Sequence, residues 1–329
     1  MTKTLTDILS PVEVEIKEFS KYFKSSMISH VPLVNLIAKY LVRTKGKQVR
    51  PMLVLLAAKA CGEVNSATYR ATTLVELLHT ATLVHDDVID EADTRRGFAS
   101  IRALWRNKAG VLMGDYLLAK GLLLTVETSE YHFLEITSTA VRRMSEGELY
   151  QLQKARQLNI DETAYFKIIS DKTASLLATC TELGAASVID KGTNKVERDM
   201  LRAYGEAVGI AFQIRDDLFD YEDRASIIGK PVGIDLKEKK LTLPLIHALS
   251  QMEPKEERRI RSLIKSGKAT DNERKLIIDL VKAKGGLQYA SQKAREYSLS
   301  AKNAIAPLPD SAAKTALISF ADFVIEREK

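Results

Sequence analysis

The stretch LVELLHTATLVHDDVIDEADTRRG, residues 74–97, decides how the chain is read. Up to His85 its side chains recur at three- and four-residue spacing. Leu74, Leu77 and Ala81 form one stripe, and Val75, Leu78, Thr82 and His85 form its neighbour. That period belongs to an α-helix. Asp86, Asp87 and Asp90 follow in the pattern D-D-x-x-D, whose first and last carboxylates share a helix face. A second such pentad, Asp216, Asp217 and Asp220, stands in FQIRDDLFDYED behind another apolar run. Both pentads therefore fall toward the C-terminal ends of helices, where the macrodipole disfavours negative charge by about 0.3–1 kcal/mol. Like charges four residues apart repel as well. Stability alone would place lysine or arginine there. One pentad reads equally well as a solvated acidic face, but two point to bound positive charge. Carboxylate oxygens select hard cations, and Mg²⁺ leaves positions that phosphate oxygens can fill. Two cysteines and five histidines give no zinc pattern.

Working outward, helical periodicity continues. No proline lies between Pro51 and Pro231, and no Asn-Gly or Asp-Gly pair signals a hairpin. Helices are expected near Pro11–Ser25, Pro32–Val42 and Pro51–Ala60, with Gly62 as a stop. Ser66 is the expected N-cap of a helix reaching Glu91. Others are expected over Ala109–Thr128, Tyr131–Leu158, Asp161–Ile189, Lys195–Tyr221 and Leu241–Met252, with several after Pro254. Asn159 and Asn194 are weaker start signals, and Glu222–Lys240 reads as the longest loop. The expected fold is all-α, a single-domain bundle of roughly a dozen helices over residues 1–329.

Composition sets the remaining limits. The 329 residues, 45% hydrophobic, can bury a large core, and the net charge of +6 is modest and spread along the chain. Cys61 and Cys180 make no disulfide scaffold. Met1–Phe23 mixes acids with lysines, unlike a secretory signal. The runs Met52–Ala58 and Val111–Leu124 read as too short or interrupted for the roughly twenty residues of a membrane span. No basic-aromatic block suggests nucleic acid. The expectation is a soluble, cytoplasmic protein.

The cations complete the pattern: Lys47 and Arg50 in KGKQVRP, Arg95 and Arg96 in TRRG, Lys172 in DKT, Lys230 in GKP, and Lys240 in KKLTLP. Around two carboxylate-held metal sites they would cage a diphosphate. The segments GKQVRP, HTATLVHDDVIDEADTRRG, MGDYLLA, GELYQLQ, DKTASL, FQIRDDLFD and GKPVGIDLKEKKLTLP, in this order, resemble the trans-isoprenyl diphosphate synthases, the polyprenyl synthetase family. The resemblance implies a helical fold around a central cavity, a homodimer, and three Mg²⁺ between the aspartate motifs. Asp86, Asp90 and Asp216 would be the principal ligands, with Asp87, Asp217 and Asp220 as further or outer ligands. It further implies that Lys47, Arg50, His79 and Arg96 hold isopentenyl diphosphate. Arg95, Lys172, Gln213, Lys230 and Lys240 would hold the allylic diphosphate (geranyl, farnesyl or geranylgeranyl), with Thr173 and Gln213 beside the developing cation. Asp115 reads as structural. Lys45 and Lys239 stand where the family often has glycine, which bears on loop geometry only.

The implied reaction ionises the allylic C–O bond, joins the allylic cation to the double bond of isopentenyl diphosphate, and releases a proton. Short-chain relatives block the growing tail with an aromatic four or five residues before the first cluster. Here those positions are Thr82 and Ala81, followed by Leu78, Leu77 and Leu74. The facing helix offers Thr137, Ser138, Thr139 and Ala140, with Phe133 or Tyr131 as the expected floor. The expected product is therefore a long-chain all-trans polyprenyl diphosphate, a quinone side-chain precursor. A peripheral membrane contact to release it is compatible with the basic surface. A cyclising terpene synthase would carry a different second metal motif. A non-catalytic partner subunit would tend to lose aspartates, and all six are present.

Overall fold

The segment SLLATCTELGAA is apolar or small on every face, and a helix of that kind must be surrounded. In the computed structural model it is α9, Ser175–Ala186, and all of its residues are buried. The structure describes residues 4–44, 46–157, 160–189, 195–221, 236, 240–267 and 269–327, almost all of them helical. Before α9 come α1 Leu5–Leu9, α2 Glu13–Ser26, α3 Pro32–Arg43, α4 Val49–Cys61, α5 Ser66–Ile89, α6 Ile101–Glu127, α7 Tyr131–Gln157 and α8 Glu162–Ile169. After it come α10 Lys195–Phe219, α11 Leu243–Ser250, α12 Pro254–Ser266, α13 Asp271–Ala283, α14 Gly286–Ala304 and α15 Ala312–Glu326. Helices α4, α5, α7 and α10 pack around α9. The all-α expectation holds.

Several boundaries differ from the sequence reading, each for a local reason. Asn65, not Ser66, caps α5: its side chain accepts from the backbone N–H of Ala67 and Thr68 in a capping box. Helix α4 starts at Val49, which puts Arg50 in its first turn. The helix expected over Asp161–Ile189 is interrupted by a π turn at Ser170–Ala174. The lack of an Asn-Gly signal concealed a small antiparallel hairpin, Thr94–Arg95 with Phe98–Ala99. Its turn residues Arg96 and Gly97 have φ of 53° and 80°, the two positive values that a tight hairpin turn needs. The start signals Asn159 and Asn194, the residues Lys45, Lys230 and Lys239, and most of Glu222–Lys240 lie outside the described residues.

Helix α6 corrects another expectation. A short helical turn from Ile101 precedes the run expected from Ala109, and the two are separated by a kink at Arg106, whose φ of 70° and ψ of 169° are not helical. By length and composition the helix is apolar enough to cross a membrane. One side packs on α5. The other exposes Leu104, Val111, Leu112, Leu122, Leu123 and Val126 at helical spacing.

Close approach fixes α10 against the π turn. A Cβ on Gly209 would lie 2.5 Å from Ala174 Cα, so only glycine permits that contact. Gly209→Ala should therefore lower the unfolding free energy by about 1–3 kcal/mol. Asn65→Ala should cost about 1 kcal/mol through loss of the cap. Urea-unfolding midpoints of the two variants check the order.

Candidate active site

Each acidic cluster sits where its helix ends. Asp86 and Asp87 are in the last turn of α5, and Asp90 is its C-cap. The middle aspartates face inward and are tied down. Asp87, 2% exposed, receives a 2.5 Å bond from Arg95 Nε. Asp217, 7% exposed, receives the Tyr165 hydroxyl at 2.7 Å and Gln213 Nε2 at 2.8 Å. The outer aspartates stay accessible: Asp86 and Asp90 are exposed, and Asp216 and Asp220 are half-buried. Thus Arg95, expected on the allylic diphosphate, is engaged with Asp87 in this structure.

The π turn joins the two clusters. π turns inside helices recur at functional sites because they redirect consecutive side chains. Thr173 donates its hydroxyl to Gln213 Oε1 at 3.0 Å, and Gln213 passes the chain of bonds on to Asp217. The next side chain back, Lys172, points to the other cluster. Its ammonium donates to Glu148 Oε2 at 2.6 Å and to Gln151 Oε1 at 3.0 Å, and its charge reaches Asp86. Although its side chain reaches solvent, partial desolvation by the surrounding protein, then the charge of Asp90, pushes the Asp86 carboxyl upward, while Lys172 opposes the rise. Asp171, between them in the fold, accepts from Arg143 and Lys167, both at 2.9 Å, and so anchors the turn to α7 and α8.

A second cationic group gathers at the start of α4. Arg50 NH1 lies 2.9 Å from His79 Nε2. Burial, followed by Arg50, Arg96 and Arg95, holds the His79 imidazole well below its usual range. It is therefore neutral at pH 7 and accepts that hydrogen bond. Gly46 brings the preceding loop against Arg96: a Cβ there would lie 2.6 Å from the guanidinium carbon. Lys47 is exposed beside it. Buried Arg50 Nε has no hydrogen-bond partner among the described residues, and an unsatisfied buried donor amid like charges fits an anion.

The donor set also fits a metal. It is all carboxylate, suited to a hard cation. Among the described residues no three acidic, histidine or cysteine side chains converge on one point. A divalent ion would then rest on one or two carboxylates and complete its shell with phosphate oxygens and water, as Mg²⁺ does. Lys240 is exposed two residues before Thr242, whose hydroxyl lies 2.7 Å from that of Tyr221, the neighbour of Asp220.

Behind Asp86 the helix face carries Thr82, Leu78 and Leu74 at four-residue intervals. Leu78 and Leu74 line an apolar cavity of about 310 Å³ between α5, α6 and α7, with Leu118, Gly121, Thr137 and Ser138. Half-buried Thr82 stands between that cavity and Asp86. Ala81 lies elsewhere: it packs with Phe19, Val84, Met113 and Leu117 in the cluster between α2, α5 and α6. Thr139 and Ala140 line a polar cleft on the far side of α7. Tyr131 is 61% exposed and cannot floor the cavity, whereas Phe133 is fully buried in the cluster that holds Leu74 and Leu78. Asp115 is exposed on the apolar face of α6, 3.4 Å from His85.

Sequence reasoning missed Glu148 and Gln151, which hold Lys172, and Tyr165, which holds Asp217. GELYQLQ contained the first two, three residues apart on one helix face. Nothing local marked Tyr165, 52 residues from its partner.

A profile of the family described as Polyprenyl synthetase matches residues 31–281. The all-trans-nonaprenyl-diphosphate synthase (geranyl-diphosphate specific) of Rhodobacter capsulatus is 38% identical over 322 residues, 98% of this chain and 97% of that one. The octaprenyl diphosphate synthase of Escherichia coli (strain K12) is 38% identical over 304 residues, 92% of each chain. In three dimensions the chain is similar to a polyprenyl synthase from Caulobacter crescentus CB15 complexed with calcium and isoprenyl diphosphate. The TM-score is 0.89 at 33% identity, covering 100% of this chain and 99% of that one. A family profile that spans residues 31–281, together with relatives 38% identical over more than nine-tenths of the chain, shows that the chain belongs to the polyprenyl synthetase family.

Proposed function

We propose that residues 1–329 form one catalytic domain that adds isopentenyl diphosphate repeatedly to an allylic diphosphate (geranyl, farnesyl or geranylgeranyl). The product is a long-chain all-trans polyprenyl diphosphate, a quinone side-chain precursor. The carrying observation is the π turn, which sets Lys172 toward one aspartate cluster while Thr173 and Gln213 reach the other.

Mg²⁺, three ions per site held by Asp86, Asp90 and Asp216, supplies positive charge to the leaving diphosphate when bound. Asp87, Asp217 and Asp220 keep those carboxylates in place. Lys172, with Lys230 and Lys240, neutralises charge that builds on the diphosphate as the allylic C–O bond breaks. The oxygen dipoles of Thr173 and Gln213 stand beside the cation that forms. Lys47, Arg50, Arg96 and neutral His79 hold isopentenyl diphosphate so that its double bond attacks that cation and a C–C bond forms. The departing diphosphate takes the proton then lost.

Tail length follows from the wall behind Asp86. From Asp86 back to Ser66 the helix rises about 30 Å, or roughly six isoprene units, and the Thr82, Leu78 and Leu74 face carries no aromatic. The apolar stripe of α6, together with exposed Leu149 and Leu152 of α7, suits a second copy of the chain, so the enzyme is read as a homodimer. Cys61 and Cys180 carry free thiols, which fits a reducing cytoplasm.

Purified protein given Mg²⁺, farnesyl diphosphate and labelled isopentenyl diphosphate should yield alcohols longer than twenty carbons after phosphatase treatment. Products that stop at or below that length would refute the long-chain reading. Chelation should abolish turnover, and Asp86→Ala or Asp216→Ala should lower kcat by roughly 10²-fold or more, as for loss of other preorganised charge-stabilising groups. Leu78→Phe should shorten the product, while Ala81→Phe should act mainly on stability, because Ala81 faces a packed core. Chromatography beside thermal melting separates the two effects.

A further inference from the structure

The segment just after α15 docks on the second acidic cluster. Helix α15 runs along α10, where fully buried Tyr204 donates its hydroxyl to Leu317 O at 2.7 Å. Arg327, one residue past α15, keeps its own N–H on Phe323 O at 2.9 Å. Its carbonyl accepts from Arg215 Nε at 3.3 Å and from NH2 at 3.2 Å. Its guanidinium lies 3.8 Å from the Phe212 ring centroid, and NH2 donates to Phe212 O at 3.3 Å and to Asp216 Oδ1 at 2.5 Å. The arginine side chain is 13% exposed, less than the 41% of the carboxylate it holds. Surface ion pairs are solvated on both sides, whereas this cation lies over the Phe212 ring, with the Phe219 ring centroid 5.6 Å away, and donates to one backbone carbonyl.

We propose that Arg327 is a counter-ion of Asp216, occupying one of its carboxylate oxygens, and that a divalent cation binds there in competition with it. The inference rests on the reading of Asp216 as a metal ligand. A guanidinium and a divalent ion on the same carboxylate repel each other, the more so in a half-desolvated site, so each weakens the other's hold on Asp216. The apparent metal affinity is therefore reduced by the fraction of molecules with Arg327 docked. While docked, the guanidinium offsets the repulsion among Asp216, Asp217 and Asp220 at a helix end that already disfavours them. Loading the site then frees the segment around Arg327, so metal arrival and the docking of that segment are one equilibrium. Arg327 acts through Asp216 as a positioning residue.

Calorimetric titration of the full-length chain with Mn²⁺, without substrate, tests this. Arg327→Gln should bind the metal roughly tenfold more tightly, as expected from loss of a charge-assisted competitor. Its metal-free melting temperature should fall, and Arg327→Lys should restore most of the parental affinity. Unchanged or weaker metal binding by folded Arg327→Gln overturns the proposal. Should that variant not fold, hydrogen exchange on the unaltered chain decides. Protection of the Arg327 amide should drop when Mn²⁺ is added, and equal or greater protection overturns the proposal as well. Asp216→Asn separates the premises. If metal binding survives there unchanged, the ligand assignment fails; if it is lost there yet indifferent to Arg327, only the competition fails.

Discussion

Holding several carboxylates at the wrong end of two helices is the constraint that shapes this protein. The chain handles it by dividing labour within each pentad. The middle aspartate turns inward and is satisfied by the protein: Asp87 by Arg95, and Asp217 by Tyr165 and Gln213. That leaves Asp86, Asp90 and Asp216 on accessible faces. A buried carboxylate with two good donors is rigid, and its rigidity passes to neighbours on the same helical turn. The accessible oxygens are thus aimed by residues that need not touch a ligand.

The π turn then sets the two clusters in register. Asp171 is clamped by Arg143 and Lys167, so the turn cannot rotate independently of α7 and α8. Its next two side chains diverge, Lys172 toward the first cluster and Thr173 toward the second. Gly209 backs the turn from α10, the helix that ends in Asp216, so backbone packing and electrostatics constrain one piece of geometry.

What could be read in the sequence was what repeats locally. The helical period, both pentads and the runs of cations each lie within a few residues of chain. The all-α class and the acidic and cationic residues followed from them. The π turn was not legible, because DKTASL has the same apolar spacing on either side of it, and the extra residue emerges only when α10 packs there. The short turn that precedes the Arg106 kink in α6 was not legible, because it depends on Ser100, whose hydroxyl accepts from Ala103 N–H. Ala81 was placed beside the tail by counting residues back from Asp86. Yet position around the helix, not distance along it, decides which side chain meets the cavity, and Leu78 and Leu74 have that position. Arg327 and Tyr165 were invisible because their partners are far away in the chain.

Helix α6 links assembly to product length. Leu122 both lines the cavity behind Asp86 and remains 40% exposed on the opposite apolar stripe, so it belongs to two surfaces at once. A polyprenyl tail in that cavity would press on Leu118, Gly121 and Leu122 from within. On an unsupported helix that pressure is met only by the packing of α6 on α5. A second copy seated on the stripe would back the same residues from outside and stiffen the wall against outward displacement. In such a pair the volume available to the tail, and hence the number of units added before release, would be a property of both chains rather than of one alone.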